Sequence, residues 1–555
     1  MRIDANDLSP GTTLDTDVAV VGAGPAGIVL ALELGRAGHR VLLIESGGES
    51  FSAAAQRLGD TAGIDPAHAP MSLATRRQVG GASNLWGGRC VPFDPIDFQV
   101  RDIIGSARWP VTYDDLKTHL TAACEWCVCG DAVFDARDIP ELAGRSLIPG
   151  WPEGEMRATS LERWSLPTNF GRRYRARLLA SPLTTLVTQL TCTEIVCASE
   201  GLSVAHLVGK TPVGDQIIVR AGRYVLACGG LESTRLLLAS NRRHADGIGN
   251  HSGHLGRWYI AHVSGCIARA HFDTPPDETI YGFERDHSGV YVRRRITFAP
   301  EFLLANKLPN IALWLENPEL GDASHGSGVL SLIYLLLISP LGRLLLSEGI
   351  RQRKIKSSSS CGRGAHLENV VRDLPAAMRF AVTFAYRRFL QRGHKAPGVY
   401  VRSAANVYPI FYHSEHLPHY HSHVALASQR DELGVPRLHT QLRCDEADIQ
   451  GVIAGHAHLD GYLRRHRIGR LEYLHENLEQ SVREQFADGY HQAGTTRMSA
   501  KPDDGVLDEN LAVHGFDDLF VASSSAFVTA GQANSTLMIV AFALRLAAHL
   551  QRTLN

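Results

Sequence analysis

The stretch that decides the fold lies near the N-terminus, where residues 17–46 read DVAVVGAGPAGIVLALELGRAGHRVLLIES. Its opening apolar run predicts a buried β-strand, the glycines predict a tight turn, and the apolar residues after them predict a helix. A second apolar run at 41–44 predicts the next strand, and Glu45 follows it directly. The stretch therefore predicts a strand–turn–helix–strand unit, of the kind that begins an α/β fold with a parallel sheet.

The glycines of this turn suit the binding of a dinucleotide. Gly22 makes the tight turn, Gly24 lets the backbone approach a pyrophosphate, and Gly27 lets the helix pack closely on the strand. The helix N-terminus offers unpaired N–H groups to the phosphates. Glu45 can accept hydrogen bonds from both hydroxyl groups of an adenosine ribose. The alternative, a merely tight turn between strand and helix, would need none of these features.

Four further motifs are spread along the chain. Residues 79–88 read VGGASNLWGG, residues 224–232 read YVLACGGLE, residues 490–498 read YHQAGTTRM and residues 531–537 read GQANSTL. In this order they resemble the glucose–methanol–choline (GMC) oxidoreductase family, nearer to its pyranose- and glycoside-oxidising branch. The resemblance covers both ends of the chain and is poor through the middle.

The resemblance implies an α/β architecture, with a Rossmann-like FAD-binding domain and an inserted α+β substrate domain (the p-hydroxybenzoate-hydroxylase-like arrangement). A chain of 555 residues is also too large for one compact core. We expect residues 1–256 to form the first part of the FAD-binding lobe and 257–489 the substrate-binding lobe, with a helical insertion at about 320–395. Residues 490–555 would return to the FAD-binding lobe. There the mostly apolar stretch 536–550 predicts a buried helix whose N-terminus faces the flavin.

The resemblance also implies the residues of the site. His491 matches the family's catalytic base, and Asn534 matches the residue that orients the substrate hydroxyl. A histidine suits the first role because its unperturbed pKa lies near neutrality. The alternatives are a structural turn histidine and a helix cap. The FAD contacts expected from the glycine turn and from the resemblance are Gly22, Gly24, Pro25, Ala26, Gly27, Glu45, Ser46, Gly80, Gly81, Ser83, Asn84, Ile195, Ala227, Gly229, Ser523, Asn534, Ser535 and Thr536.

Two departures from the family pattern concern FAD. Members that link FAD covalently carry a histidine within or just after the Gly-Gly-x-Ser segment, whereas this chain reads SNLW at 83–86. We therefore expect non-covalent FAD. Many relatives have an aspartate in the late strand where this chain has Ser523. The hydroxyl group of Ser523 could replace that carboxylate contact.

These motifs imply an FAD-dependent oxidoreductase that converts a CH–OH group to a carbonyl by hydride transfer to flavin N5, with His491 as the base. A sugar, glycoside or polyol is the expected substrate, and O2 or another acceptor would reoxidise the flavin. Three alternatives remain: oxidation of a non-carbohydrate alcohol, a lyase of the same fold that retains FAD without net redox chemistry, and a nicotinamide-dependent dehydrogenase. The first glycine motif alone would suit the last equally well.

The composition of the chain argues against nucleic acid as a partner and indicates a cytoplasmic location. The formal net charge is −1, which gives no basis for nucleic acid binding. The ten cysteines lack the spacing of a small disulfide-rich domain, and the N-terminus is polar, without an apolar signal core. We expect a cytoplasmic protein.

Two clusters of possible ligands predict no metal. Cys124, Cys127 and Cys129 are close in sequence, but three thiols without a fourth nearby make a poor metal site, so we expect packing. His419 and His423 flank His421 in an alternating pattern that a solvated loop explains better than a ligand set.

A strongly apolar segment lies in the middle of the chain. The run 329–346 is interrupted by Ser339 and Pro340 and is too short to cross a bilayer, which needs ~20 apolar residues. It predicts a buried helix. The basic run 351–356 leaves open a contact of the region 329–356 with a membrane surface or a partner protein.

Overall fold

The computed structural model describes residues 1–199, 202–340, 342, 362–390, 393–486 and 490–554. The basic run 351–356, with its possible docking role, lies outside the described residues. So does most of the second half of the apolar run 329–346.

The strands belong to two large sheets and one hairpin. Their bounds are β1 Arg2–Asp4, β2 Thr13–Val21, β3 Val41–Ile44, β4 Arg89–Cys90, β5 Met156–Trp164, β6 Thr184–Thr188, β7 Thr191–Cys197, β8 Val204–Lys210, β9 Gln216–Leu226, β10 His262–Phe272, β11 Glu284–Arg285, β12 Tyr291–Phe298, β13 Ile311–Leu315, β14 Val407–Glu415, β15 His423–Arg430, β16 Pro436–Gln441, β17 Gly469–Tyr473 and β18 Leu519–Val521.

The α-helices range from a single turn to a 20-residue helix. Their bounds are α1 Pro25–Arg36, α2 Ala53–Arg57, α3 Met71–Ala74, α4 Tyr113–Cys127, α5 Phe170–Ala180, α6 Gly230–Ala239, α7 Pro300–Ala305, α8 Gly328–Ile338, α9 Arg363–Arg372, α10 Leu374–Ala385, α11 Glu446–Arg465, α12 Leu478–Gln485 and α13 Thr536–Thr553.

The first sheet contains the predicted strand–turn–helix–strand unit. Its order is β1-β6-β3-β2-β9-β8-β7, and β18 also pairs with β9. Because β2 runs parallel to both β3 and β9, Gly22 and Glu45 lie at the carboxyl ends of neighbouring strands. Open parallel sheets bind their ligands at this edge. Helix α13 packs against α1 and α4, and most of its apolar residues are buried.

The stretch 186–194 forms parts of two strands, the end of β6 and the start of β7, which lie far apart in the strand order. The chain turns at Gln189, whose φ is +61°. The N–H groups of Gln189 and Leu190 donate to the carbonyls of Gly47 and Glu45, so the turn crosses the carboxyl edge of the sheet. This crossing separates the two strands.

The second sheet is antiparallel, with the order β17-β10-β14-β13-β12-β5-β4 and β11 paired to β12. Strands β4 and β5 precede residue 256, so the segment 1–256 contributes to both sheets and is not confined to the first. Ion pairs join these strands to β12. Glu162 on β5 contacts Arg89 on β4 and Arg293 on β12.

A helical insertion separates β13 from β14, within the expected range 320–395. Helix α8 is the apolar segment of the sequence, and it packs against α9 and α10. Its residues Val329, Leu330 and Leu337 are buried. In the described ranges, no helix combines the length and hydropathy needed to cross a membrane.

Candidate active site

A cavity of about 470 Å³ lies between the carboxyl edge of the first sheet and the second lobe. Glu45 lines it beside the glycine turn, at what we call the Glu45 end, and His491 with Asn534 lines what we call the catalytic end. Of the residues expected at the site, Gly27, Gly80, Asn84 and Ile195 do not line the cavity. Those that do are Gly22, Gly24, Pro25, Ala26, Glu45, Ser46, Gly81, Ser83, Ala227, Gly229, His491, Ser523, Asn534, Ser535 and Thr536.

The glycine turn has the geometry that its sequence predicts. Gly22 has a φ of +106°, and a Cβ there would lie 2.4 Å from the carbonyl oxygen of Ala227. A Cβ on Gly27 would lie 1.9 Å from the carbonyl oxygen of Gly22, so this glycine allows the helix to pack on the turn. Gly24 differs, because a Cβ there would meet no atom closer than 4.0 Å. Its open side adjoins the cavity.

The carboxylate of Glu45 is buried and faces the same turn. The backbone N–H of Ala23 donates to Glu45 Oε2 at 3.0 Å, and that of Gly47 donates to Oε1 at 2.9 Å. Burial raises the pKa of Glu45 above its usual value, and these two hydrogen bonds oppose the shift. Each carboxylate oxygen can accept a further hydrogen bond, so Glu45 could still bind ribose hydroxyls.

Several charged residues at the Glu45 end were not predicted. Arg77 donates to Ser46 Oγ at 2.9 Å and to Glu232 at 2.5 Å. Arg235 donates to Asp431 at 2.8 Å. All five residues line the cavity. Asp431 follows β15, so the hairpin closes this end although it is distant in sequence.

The second glycine segment holds its own backbone in place. Gly80 and Gly81 have φ values of +98° and +52°, and the N–H of Gly80 donates to the carbonyl of Ala23 at 2.7 Å. Ser83 Oγ donates to the carbonyl of Gly80 at 2.5 Å, and Asn84 Nδ2 donates to that of Gly81 at 2.8 Å. Ser83 and Asn84 therefore shape the segment, and of these two only Ser83 lines the cavity.

Three further chain segments line the cavity. Gly229, after β9, has a φ of +87°, and a Cβ there would find open space. Ser523, after β18, accepts a hydrogen bond from the N–H of Ser525 at 3.2 Å. Ser535 and Thr536 begin α13, and no side chain caps its N-terminus. The free N–H groups of that helix end are suited to negative charge.

His491 and Asn534 are in direct contact at the other end of the cavity. Asn534 Nδ2 lies 2.8 Å from His491 Nε2. An amide nitrogen only donates, so Nε2 accepts this bond and carries no proton. Asn534 Oδ1 is buried and has no hydrogen-bond partner among the described residues. The pair thus presents a basic ring nitrogen beside an amide that can still bind another group.

Two further histidines, which were not predicted, support His491. His491 Nδ1 lies 3.0 Å from His262 Nδ1, and the two rings are nearly perpendicular, at 88°. His413 stacks on His262 with ring centroids 4.2 Å apart. Because Nε2 of His491 is unprotonated, Nδ1 carries the proton and donates to His262. The contact therefore selects the tautomer in which Nε2 is the base.

His413 is held neutral. Its Nδ1 donates to the carbonyl of Gln532 at 2.7 Å. Burial holds the pKa of His413 well below its usual value, and His262, Arg89 and His491 act in the same direction. His413 thus adds no positive charge next to the base at neutral pH.

These three histidines are also close enough to hold a metal ion. One ring nitrogen of each lies within 4.8 Å of the others, and no other group of three ligands does so in the part of the chain that the structure describes. The charge of Arg89, which helps to lower the pKa of His413, opposes a cation here. The arrangement favours a base supported by imidazoles over a metal centre.

Arg89 brings positive charge to this end of the cavity. It lines the cavity and pairs with the fully buried Glu162, which also pairs with Arg293. Burial lowers the pKa of Arg89 to about 10, although Glu162 opposes the shift. Arg89 is still charged at neutral pH. It therefore favours negative charge on a group bound beside His491.

The cysteine cluster has a fourth member, which corrects the expectation of three thiols alone. Cys90, on β4, is in contact with Cys127 and Cys129, and both are fully buried like Cys124. The hydrogen bond with Cys127 and burial raise the pKa of Cys90 well above its usual value. The four buried thiols lie together between β4 and the C-terminal end of α4.

The alternating histidines lie outside the cavity lining. His419 forms an ion pair with Asp445 at 3.0 Å, and His423 Nδ1 contacts the carbonyl of His421 at 2.8 Å.

The residues present fit FAD. Gly24 and Gly229 have open space where a Cβ would point, so the backbone can approach a ligand there. The N-termini of α1 and α13 suit the pyrophosphate and the pyrimidine side of a flavin. The unpartnered Asn534 Oδ1 places a hydrogen-bond acceptor at the catalytic end.

Two parts of the chain match known protein families. Residues 15–54, which contain the glycine turn and Glu45, match the family described as FAD binding domain. Residues 418–543, which contain His491 and Asn534, match the family described as GMC oxidoreductase. Because residues 15–54 match an FAD-binding family, the alternative of a nicotinamide-dependent dehydrogenase is excluded.

Two curated relatives come from Streptomyces. The 6'''-hydroxyparomomycin C oxidase of Streptomyces lividus is 28% identical over 308 residues, which is 45% of this chain and 55% of that protein. The chain thus spans little more than half the length of that relative. The paromamine 6'-oxidase of Streptomyces fradiae is 24% identical, over 95% of this chain and 90% of that protein.

The fold is shared with solved flavoenzymes. The formate oxidase of Aspergillus oryzae has a TM-score of 0.54 at 15% sequence identity, over 98% of this chain and 99% of that one. The glycine turn, the cavity and both family matches agree with this fold. The chain therefore contains a segment at 15–54 that matches an FAD-binding domain and a segment at 418–543 that matches the GMC oxidoreductase family.

Proposed function

We propose that this protein oxidises a CH–OH group of a sugar, glycoside or polyol to a carbonyl. The observation that carries the proposal is the contact between His491 and Asn534 at the end of the cavity, with Nε2 of His491 unprotonated. A general base must reach the proton that it removes, and His491 and Asn534 both line the cavity in which a substrate would bind.

Bound FAD supplies the hydride acceptor for this reaction. When a substrate binds, its hydroxyl group replaces the Asn534 N–H at His491 Nε2 and donates its proton to this nitrogen. Asn534 Nδ2 can then donate to the hydroxyl oxygen and hold it in place. His262 accepts a hydrogen bond from His491 Nδ1 throughout, which favours the protonated imidazole once the proton has arrived. Arg89 favours the negative charge that develops on the substrate oxygen.

The relatives support a carbohydrate substrate, since both are named for aminoglycosides. The charged residues that line the cavity narrow the class of carbohydrate further. Glu45, Glu232 and Asp431 are the carboxylates that line the cavity, and they group with Arg77 and Arg235. Arg89 instead lies near the histidines of the catalytic end. An uncharged or acidic hydroxyl compound therefore suits this end better than a polycation.

The chain at 83–86 supports non-covalent FAD, because it offers no histidine for attachment. Acid precipitation of the purified protein should release all of the flavin into the supernatant. A yellow washed pellet that yields a flavin-linked peptide would contradict this proposal.

The function is tested by reduction of the flavin without oxygen. We expect neutral sugars, glycosides, polyols or sugar acids to bleach the visible flavin absorbance, with amino sugars weaker. Bleaching by aliphatic alcohols alone would place the substrate outside the carbohydrates. A flavin that no alcohol bleaches would support a lyase. Reoxidation of the bleached enzyme by air or by a dye then separates O2 from another acceptor.

A further inference from the structure

Exposed apolar side chains are concentrated in the helical insertion. Seven of the fifteen large apolar side chains that are exposed in the described residues lie between 367 and 390. Five of them follow one another at intervals of four residues along α10 and the π-helical turn after it. These five, which we call the exposed apolar face, are Leu374, Met378, Val382, Tyr386 and Leu390.

Helix α10 is apolar on two opposite sides. On one side Ala377 is buried and Phe380 and Phe384 are half-buried, and α8 packs against the helix. On the other side Met378 and Val382 are 60% and 71% exposed. Helices that are apolar all round are normally covered on every side. The exposed apolar face therefore requires a partner surface.

The charges around this face are mainly positive. Arg379 and Arg387 are exposed within the same segment, and α9 adds two more arginines. One of these, Arg372, forms an exposed ion pair with Glu368 at 2.6 Å. The other acidic residue of this segment is Asp373, which lies between α9 and α10.

We propose that the exposed apolar face docks on the surface of an anionic lipid bilayer. A helix with an open apolar side flanked by arginines can lie in the membrane interface, with its apolar side chains among the acyl chains. Arginine stems can lie along apolar surface while their guanidinium groups reach lipid phosphates. A protein partner would need to complement several arginines, whereas an anionic bilayer does so over its whole surface.

Docking at this place leaves the active site free. No residue of α8, α9 or α10 lines the cavity. The insertion leaves the second sheet after β13 and returns at β14, which carries His413. The protein could therefore bind a bilayer through the insertion while the cavity remains open to substrate.

The test is sedimentation of the FAD-loaded full chain with sucrose-filled vesicles. We expect binding to vesicles of phosphatidylcholine and phosphatidylglycerol, weaker binding at high salt, and little binding to pure phosphatidylcholine. The double variant Met378→Ser/Val382→Ser should bind the anionic vesicles more weakly than wild type, by a factor of roughly ten or more, because it removes apolar area from the contact. Val213→Ser is the matched control, since Val213 is 79% exposed on a distant turn.

FAD content and turnover should be unchanged in both variants, which separates docking from the proposed oxidation. Equal vesicle binding by wild type and the double variant would overturn the proposal, as would no binding to anionic vesicles. So would a wild-type dimer in solution that becomes a monomer in the double variant, because that result assigns the face to a second copy of the chain.

Discussion

The role of His491 as a base depends on which of its ring nitrogens carries the proton. Asn534 and His262 contact opposite nitrogens of the ring, at 2.8 Å and 3.0 Å. Because Asn534 donates, the proton lies on the side of His262. Selection of the tautomer by a second residue is a common feature of catalytic histidines.

We predict that His262→Ala slows flavin reduction by roughly ten- to a hundredfold, less than loss of the base itself. The acid limb of the pH–rate profile should also move to lower pH, because the protonated form of His491 loses a hydrogen-bond acceptor. Stopped-flow reduction across pH measures both. The exposed His475→Ala is the control. A slower rate with an unmoved profile would mean that His262 is only structural.

The sequence predicts some residues of the site and not others, for a physical reason. Gly22, Gly24 and Glu45 lie within one strand–turn–helix–strand unit, so local spacing reveals them. His262 and His413 lie on β10 and β14, and their stacking depends on the pairing of strands that are far apart in sequence. No local motif encodes that register.

At the scale of elements, the glycines fall into two kinds. A Cβ on Gly22, Gly27 or Gly494 would meet a backbone oxygen at 2.4 Å or less, so these glycines are required by the fold. Gly494 belongs to the motif of His491 and lies against the carbonyl of Trp258. Gly24 has no such neighbour and opens on the cavity.

We predict that Gly24→Ala folds normally but binds FAD roughly tenfold more weakly or worse, because the new methyl group occupies the space that the pyrophosphate approaches. A titration of the apoprotein with FAD measures the affinity, and circular dichroism checks the fold. Gly461→Ala on α11 is the control, since a Cβ there also meets no atom within 4 Å. Normal FAD affinity in Gly24→Ala would mean that the phosphates lie elsewhere.

For the molecule as a whole, the sequence predicts an order of two lobes, but it does not predict the path of the chain between the two large sheets. Strands β4 and β5 lie early in the chain and still pair in the second sheet, where Glu162 meets Arg89 and Arg293. The sequence does not show which sheet contains the ion-pair partners of a buried charged residue such as Glu162. The boundary at 256 stays a prediction, and strands from both sides of it pair in the second sheet.

Buried histidines also affect the stability of the whole chain. His456 on α11 is fully buried, and its Nδ1 donates to the carbonyl of Val452 at 2.8 Å. Burial lowers the pKa of His456 to about 4. An unfolded histidine titrates near 6.5, so the unfolded chain binds more protons between these values. The stability is then full above pH 6.5 and falls as the pH approaches 4.

We predict that this group accounts for a loss of ~3 kcal/mol in unfolding free energy between pH 6.5 and 4. His456→Leu removes the titrating group, so its thermal midpoint should fall less on acidification than that of wild type. Thermal unfolding at several pH values compares the two proteins. Parallel decreases in both would show that His456 titrates normally in the folded state.

The most direct test of the account is anaerobic reduction of the FAD-loaded His491→Ala variant by a carbohydrate that reduces the wild type. Removal of a positioned general base should slow the reduction by ~10²–10⁴-fold while the bound FAD content stays unchanged. Reduction at the wild-type rate, with the same FAD content, would contradict the assignment of His491 as the base.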